Sequence, residues 1–463
     1  MSTDTATARA MALPEILSEV FAILHGQGDY SSLASAARAN SVWFACAIDR
    51  LWSQVEGDAL TSIANIADSR RRQLYASKVE GIAFDGNKRD IPKDLPDACF
   101  NRIKSIDFNS PYWLPQGSEH LIKPYIQPSL QSFAFYGEDF SDEIVFQLQS
   151  TCRRLQVLVI DNTEMDHKRP KLTGETLLQF ISQTESLRDL NLWCGGLSDE
   201  LFLCISELEN LSTLSWCDSL TPELLSKTVA QNPNRFPSLD SFTVPCALSS
   251  ISVSYIVTML PHLTKIHLEF EDSEHDMLTP LSAIENLTQL ECTFHCNVLF
   301  SAPQLLSLKS LSKLTMLSIR FGVDFDRRDT TSPFSDADFH DMISALPGLR
   351  CLRLEFLADL TGAALLSLSA KCPKLEQFSM RRGLRCDLRS LLDQAGEEPL
   401  LQHLRMLYLA RISTDNTDYL SISAAELAGQ IIRYFPKLED FDIEDCDGRD
   451  GRVIDRFWDL VEH

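Results

Sequence analysis

The chain has 463 residues, more than the roughly 250 to 300 that one compact core accommodates, so it must divide into domains or extend as a repeat array. Hydrophobic residues make up 44% and charged residues 23%, and no long Gly/Ser/Pro or acidic tract exists, which excludes a disordered half. A formal charge of -23 argues against broad nucleic-acid binding, which needs Lys and Arg on phosphates, and no apolar run reaches the ~18 to 20 residues of a membrane span. Met1 to Ala12 lacks the basic-then-apolar order of a signal peptide, so cytoplasmic or nuclear residence is expected. In such a compartment the 13 cysteines are expected to be reduced and mostly buried.

Residues 1 to 11 have almost nothing to bury and read as a disordered leader. Residues 12 to 56 read as three short helices. The first opens at Leu13-Pro14-Glu15-Ile16-Leu17, with Pro14 at the first helical position and Ile16, Val20, Ile23 and Leu24 along one face. A turn at Gly26 to Asp29 leads to a second helix through Leu33, Ala37 and Asn40, and a third carries Trp43, Phe44, Ile48, Leu51 and Trp52. Three helices in so short a segment leave apolar surface over, which a partner would cover. Residues 57 to 78 read as a connecting helix, with Leu60, Ile63, Ile66, Leu74 and Val79 as its buried stripe and Arg70, Arg71 and Arg72 facing water.

From Val79 onward the spacing apolar-x-x-apolar-x-apolar recurs, starting at Val79, Ile103, Leu130, Leu155, Leu187, Leu211, Leu239, Leu263, Leu287, Leu314, Leu349, Leu375, Leu404 and Leu438. Positions four and six of each unit alternate with polar neighbours, which is the period of a strand with one buried face. Between units the period lengthens, as in Phe339, Ile343 and Leu346, or Leu365, Leu368 and Cys372, each marking one side of a helix. Strand and helix alternating at intervals of 24 to 35 residues require parallel strands joined by crossovers and stacked as a solenoid. Helices are about twice as thick as the ~4.8 Å strand spacing, so the strands should line a concave face and the helices a convex one. The predicted fold is therefore α/β: a solenoid over 79 to 450 in about fourteen repeats, with a capping helix at 451 to 463 through Val453, Ile454, Phe457, Trp458, Leu460 and Val461.

Two parts of the chain resemble known families. Leu13-Pro14-Glu15-Ile16-Leu17 with Val20-Phe21, Ser32-Leu33, Val42-Trp43-Phe44 and Leu51-Trp52 resembles an F-box, and the repeat with turns such as Lys371-Cys372-Pro373-Lys374-Leu375 resembles leucine-rich repeats of the longer helical kind. Ala39-Asn40 departs from the Val-Cys that F-boxes often carry. The resemblance to F-box proteins with C-terminal leucine-rich repeats implies a non-catalytic subunit of an SCF-type ubiquitin ligase. Leu13, Pro14, Ile16, Leu17, Val20, Phe21, Leu33, Trp43, Leu51 and Trp52 would bind the Skp-type adaptor, and through it a cullin. The repeats would hold a protein substrate, with the chain a monomer inside a larger complex, needing no cofactor and binding neither nucleic acid nor membrane. A repeat scaffold with no link to ubiquitin, its N-terminal helices serving only as a cap, is the competing reading. A small-molecule receptor is a third.

Positions three, five and seven of each unit point away from the core. They place Tyr136, Asp189, Asn191 and Trp193 on the earlier strands, and Lys265, His267, Glu269, Arg320, Arg353, Glu355 and Arg381 on later ones, with Arg382 and Arg411 just beyond. Lys265, Trp193, Arg320, Arg353, Arg381, Arg382 and Arg411 are the candidate substrate-binding residues, and the arginines suit an acidic or phosphorylated segment. Neutralisation by Glu355 and neighbouring acids is the alternative. Polar stretches at Asp161 to Lys171, Gly322 to Pro333 and Ser413 to Tyr419 could form a rim over this face. No phosphate-loop, nucleophile-elbow or HExxH motif occurs, and Cys292-Thr-Phe-His295-Cys296 places its ligands on opposite sides of a strand, so neither catalysis nor a metal is expected.

Overall fold

Side chains that alternate between buried and partly exposed in steps of two favour strands, and fifteen strands form one sheet among the described residues, with clear alternation in such segments as Val157–Asp161, Asp189–Trp193 and Cys351–Leu354. The computed structural model describes residues 13–84, 98–109, 119–137, 140–162, 172–231, 235–322, 331–385, 391, 396, 398–411, 424–443 and 450–461. The strands are β1 (Gln54–Glu56), β2 (Gly81–Phe84), β3 (Ser105–Asn109), β4 (Ser132–Tyr136), β5 (Val157–Asp161), β6 (Asp189–Trp193), β7 (Thr213–Trp216), β8 (Ser241–Leu248), β9 (Lys265–Phe270), β10 (Gln289–Phe294), β11 (Met316–Phe321), β12 (Cys351–Leu354), β13 (Gln377–Arg385), β14 (Met406–Arg411) and β15 (Asp440–Ile443). Strand order follows chain order, the ladders β1 to β6 and β8 to β15 are parallel, and helices form most of the crossovers. This is the ladder of parallel strands joined by crossovers that the periodicity predicts. The chain divides into two compact units, Met1–Thr213 and Leu214–His463.

In the first unit, positions four and six of successive repeats are Ile82 and Phe84, Ile106 and Phe108, Phe133 and Phe135, Leu158 and Ile160, and Leu190 and Leu192, all buried. Phe84 and Phe108 stack with ring centroids 4.5 Å apart and planes 2° from parallel. The second unit adds position eight to its core: Phe270 and Phe294 lie 5.1 Å apart, and Phe356 packs on Phe300 and Phe334. The six-residue spacing does not reach that position, so the aromatic column is a feature of the structure that the motif leaves out.

One backbone device repeats at the start of the strands. The carbonyl of position two accepts hydrogen bonds from both position two and position three of the next repeat. Arg350 N and Cys351 N donate to Thr315 O at 2.8 and 3.0 Å, and Glu376 N and Gln377 N donate to Arg350 O at 2.8 and 2.9 Å. The same pairing runs through Glu80, Lys104, Gln131 and Gln156 in the first unit. Helix starts are tied across repeats as well. Thr173 and Thr361 cap their own helices, and their N–H groups donate to Asp142 and Asp336 of the preceding repeats at 2.8 and 3.0 Å. Asn210 and Asn286 also bridge repeats, to Glu185 O and the Lys313 ammonium.

The N-terminal segment forms three helices: α1 (Pro14–Gly26), α2 (Tyr30–Ala36) and α3 (Ser41–Leu51). Gly28 takes a φ of +72°, which permits the tight turn between α1 and α2, and Asp29 caps α2 through Ser32 N. Asn40, where the chain departs from the F-box pattern, caps α3 by accepting from Trp43 N at 2.9 Å. Leu17, Phe21, Leu33, Ala36 and Ala47 are the core of this cluster.

Three local expectations change. The segment 57 to 78 is two helices, α4 (Gly57–Ala64) and α5 (Ser69–Ala76), because Asp68 caps a new one by accepting from Arg70 N at 2.9 Å. Leu74 is exposed rather than part of the buried stripe, and two of the three arginines are engaged, Arg71 with Tyr75 Oη and Arg72 with Ala64 O. The ladder also begins one repeat earlier than the motif, at β1, whose Val55 pairs with Ile82 and is buried. Its unit reads Trp52-x-x-Val55-x-Gly57, and glycine at position six conceals it.

At the other end, the helix Asp450–Val461 buries Val453 and Phe457 one turn apart, with Phe457 5.4 Å from Phe441 of β15. Leu460 and Val461 are exposed and take no part in the cap. Cys152, Cys194, Cys292 and Cys372 are buried and Cys99 is exposed, so the cysteines are more varied in burial than composition suggests. The expected leader, residues 1–11, lies outside the described residues. Among the described residues no helix is long and apolar enough to cross a membrane.

Two measurements check this packing. Leu352→Ala, which empties a fully buried site, should lower unfolding free energy by about 3 kcal/mol in denaturant titration, whereas Arg353→Ala on the opposite face should stay within about 0.5 kcal/mol. Glu80 is held below the ordinary carboxylate range chiefly by its hydrogen bond from Lys104, with Arg102 adding and partial burial opposing. A carboxylate depressed in the folded state stabilises above its unfolded pKa and loses that contribution as pH falls through its folded one. Glu80→Gln should therefore flatten the loss of thermal stability below about pH 5 relative to wild type.

Candidate functional site

The parallel registers align odd positions of neighbouring repeats into rows, with successive members ~4.8 Å apart, on the sheet face opposite the buried positions. In the first unit, position seven gives the row Asn109, Tyr136, Asp161 and Trp193. Tyr136 is half-buried, and its phenol is pushed up by desolvation first and then by the charges of Asp107, Asp161 and Asp189. Partial burial also raises the Asp189 carboxyl. This part of the face is acidic and aromatic, and the candidate Trp193 belongs to it.

In the second unit, position five gives the row His267, Glu291, Ser318, Arg353, Ser379, Tyr408 and Asp442. Position seven places Glu269, Thr293 and Arg320 side by side on β9, β10 and β11. Arg320 folds back to form an ion pair with Glu291 on the neighbouring strand. Arg353 has a different partner. Its guanidinium donates to the neutral Gln377 Oε1 at 2.9 Å and forms no ion pair among the described residues. Glu355, the residue expected to neutralise it, instead accepts the backbone N–H of Phe321 at 3.2 Å. The neutralising alternative therefore holds for Arg320, through Glu291, and not for Arg353.

Burial raises the Cys351 thiol, while Arg353 and, more weakly, Arg320 pull the other way. Ser318 lies in the same row between Glu291 and Arg353, is 0% exposed, and its hydroxyl has no hydrogen-bond partner. The Arg320 Nε is likewise buried without an acceptor. Further along, Glu269 joins His295 at 2.8 Å and lies 3.7 Å from His267.

The other candidates fall differently. Lys265 is exposed at position three of β9, two strands from Arg320. Arg381 and Arg382 belong to β13 and Arg411 ends β14, but their side chains lie outside those described. So do most of the three rim segments, at 163–171, 323–330 and 412–423. Cys292 is in the core with its thiol pushed up to about 12 by burial, and among the described residues no group of three or more His, Cys, Asp or Glu is placed to hold a metal.

The ten candidate adaptor residues separate into three sets by burial. Leu17, Phe21 and Leu33 are interior and support the helical cluster rather than presenting a contact, a correction that follows from their burial. Val20, Trp43 and Leu51 pack partly against that core, Trp43 meeting Phe21 edge-on at 5.8 Å. Trp52 packs on Tyr75 at 4.9 Å and joins α3 to α5. Leu13, Pro14 and Ile16 remain outside, Leu13 at 51% and Ile16 at 43% exposure. Sequence reasoning passed over Ile23, Tyr30 and Val42 as candidates, although they are exposed on the same three helices.

No protein-family model matches the chain, and no curated protein matches it in sequence. Among solved structures it is similar to one titled as a TLR13-ssRNA13 complex, with a TM-score of 0.41 and 14% identity over 80% of this chain and 49% of that one. The chain thus spans about half of that protein's length. It is also similar to the leucine-rich repeat-containing protein LegL7 from Legionella pneumophila, with a TM-score of 0.27 and 12% identity over 71% of this chain and 90% of that one.

The acidic surroundings of Tyr136 have a measurable signature. Subtracting the phenolate absorbance titration of Tyr136→Phe from that of wild type should isolate a tyrosine ionising above the ordinary range. Asp189→Asn should move that ionisation back toward it, because one opposing charge is gone.

Proposed function

We propose that this chain is the substrate-recognition subunit of an SCF-type ubiquitin ligase: α1 to α3 dock on a Skp-type adaptor and through it a cullin, and the repeat face holds a protein substrate. The F-box resemblance of residues 12 to 56 supports the first half. The observation that carries it is the distribution of exposed apolar side chains. Of the eleven large ones among the described residues, five fall between residues 13 and 42: Leu13, Ile16, Ile23, Tyr30 and Val42. The cluster has its own core in Leu17, Phe21 and Leu33, so this surface is left over after packing rather than missing from it. A partner that buries it gains hydrophobic free energy that the chain cannot realise alone.

On this reading the chain performs no chemistry. It raises the local concentration of substrate lysines near a conjugating enzyme, as a linked bivalent binder does. Leucine-rich repeats suit the task because they offer a long face built from many strands.

Capture of purified Skp-type adaptor by the full chain tests the reading. Leu13→Glu/Ile16→Glu should weaken capture by about 30-fold or more, as loss of central apolar anchors does, while Ile251→Glu, exposed in the second unit, should leave it unchanged. Failure of the wild-type chain to capture adaptor would leave the N-terminal helices as a cap and make the protein a scaffold.

A further inference from the structure

We infer that the outward face of β3 to β6, in the first unit, is a cation-recognition site, and that its occupant is an arginine or lysine side chain of an extended protein segment laid across the strands. The inference deepens the proposed role by naming the class of substrate residue, and it rests on that role only for the identity of the partner as a ubiquitination substrate.

The register builds the site. Tyr136, Asp161 and Trp193 stand side by side on β4, β5 and β6, so a carboxylate is flanked on both sides by an aromatic side chain. Neighbouring strands are ~4.8 Å apart, which lets a cation held above Asp161 come within the ~6 Å over which an aromatic face attracts positive charge. The row at position five reads Asp107, Ala134, Val159 and Asn191. Ala134 and Val159 there offer an apolar floor to the aliphatic stem of a long basic side chain. An outside group can reach this face, because Asp107 is exposed and Tyr136, Val159, Asp161, Asp189 and Trp193 are each half-buried.

Charge defines the occupant. Positions three, five and seven of β3 to β6 carry no Lys or Arg. Desolvation alone raises the Asp107 and Asp189 carboxyls, so no neighbouring cation holds either down. On the second unit's face the acids already meet cationic or imidazole groups, Glu291 with Arg320 and Glu269 with His295. The net charge of -23 draws a basic segment in at long range, and the aromatic pair then favours a side chain whose charge sits at the end of an apolar stem. A guanidinium suits the row best, since its plane stacks on a ring while its N–H groups meet a carboxylate. A bare metal ion fits less well, because among the described residues no group of three or more His, Cys, Asp or Glu is placed to hold one.

The test uses the full chain and three degenerate decapeptide pools, identical except for a fixed central arginine, lysine or glutamine. Wild type should retain at least one cationic pool about five-fold or more over the glutamine pool, as expected where a carboxylate and an aromatic face act on one cation. Asp161→Asn, which keeps the shape and removes the charge, and Trp193→Leu, which removes the ring, should each lower that preference about three-fold or more at unchanged melting temperature. Glu175→Gln, an exposed acid in the first turn of the crossover helix Gly174–Ser182, should leave it unchanged, which separates this site from the general attraction of an acidic chain. Equal retention of all three pools overturns the inference. So does a preference that survives in the folded Asp161→Asn/Trp193→Leu double variant, or one that falls as far in Glu175→Gln. Adaptor capture by Asp161→Asn should equal that of wild type; a wild-type chain that captures no adaptor yet keeps the cationic preference would strike the ligase role and leave this site standing.

Discussion

The carbonyl at position two, repeated along both units, is the constraint from which the rest follows. It takes two donors from the next repeat, as Thr315 O does from Arg350 and Cys351, and so fixes both the distance and the phase at which the next strand begins. A shift of one residue would exchange the buried and open faces of the strand, so this double contact keeps Leu352 and Leu354 inside and Arg353 outside. Side-chain hydroxyls reinforce it in the second unit, where Thr288 Oγ1 and Thr315 Oγ1 each donate to the carbonyl of position two in the repeat before at 3.0 Å. The helices can then vary in length, from four residues at Leu278–Leu281 to eleven at Ala424–Tyr434, without disturbing the ladder.

Fixed phase is what turns a one-dimensional repeat into a surface. Ser318, Arg353 and Ser379 are separated by 35 and 26 positions in sequence yet stand in one row, because the intervals are absorbed by the crossovers. The rows carry different chemistry in the two units: carboxylates around Tyr136 in the first, and an interleaving of Glu269, Glu291, Arg320 and Arg353 in the second.

The sequence made the core legible because burial imposes a period that apolar residues must obey, and fourteen units repeat it. It missed β1 because Gly57 stands where an apolar residue would have completed the unit, and it missed the position-eight phenylalanines because the motif stops at six. The site was legible in part. Odd positions identify which residues face outward, and Arg320 and Arg353 came from that rule alone. Whether they are paired depends on where long side chains reach, and the register decides it. Glu291 reaches Arg320 across one strand, whereas Glu355 turns to the Phe321 backbone. Among the N-terminal helices the resemblance named ten residues without separating support from contact, and only burial divides Leu17, Phe21 and Leu33 from Leu13 and Ile16.

The apolar surface of the N-terminal helices and the open sheet face differ in the physics they offer a partner. The apolar set on α1 to α3 contributes by burial, which depends little on salt and favours a lasting union. The Arg353 guanidinium offers oriented hydrogen bonds on a partly solvated face, where Coulomb attraction is screened and each contact is modest. Substitution on that open face leaves the core beneath it closed, because Leu352 and Leu354 are buried on the opposite side of the strand. The same strand thus holds the fold through Leu352 and Leu354 while it presents Arg353 on its open side.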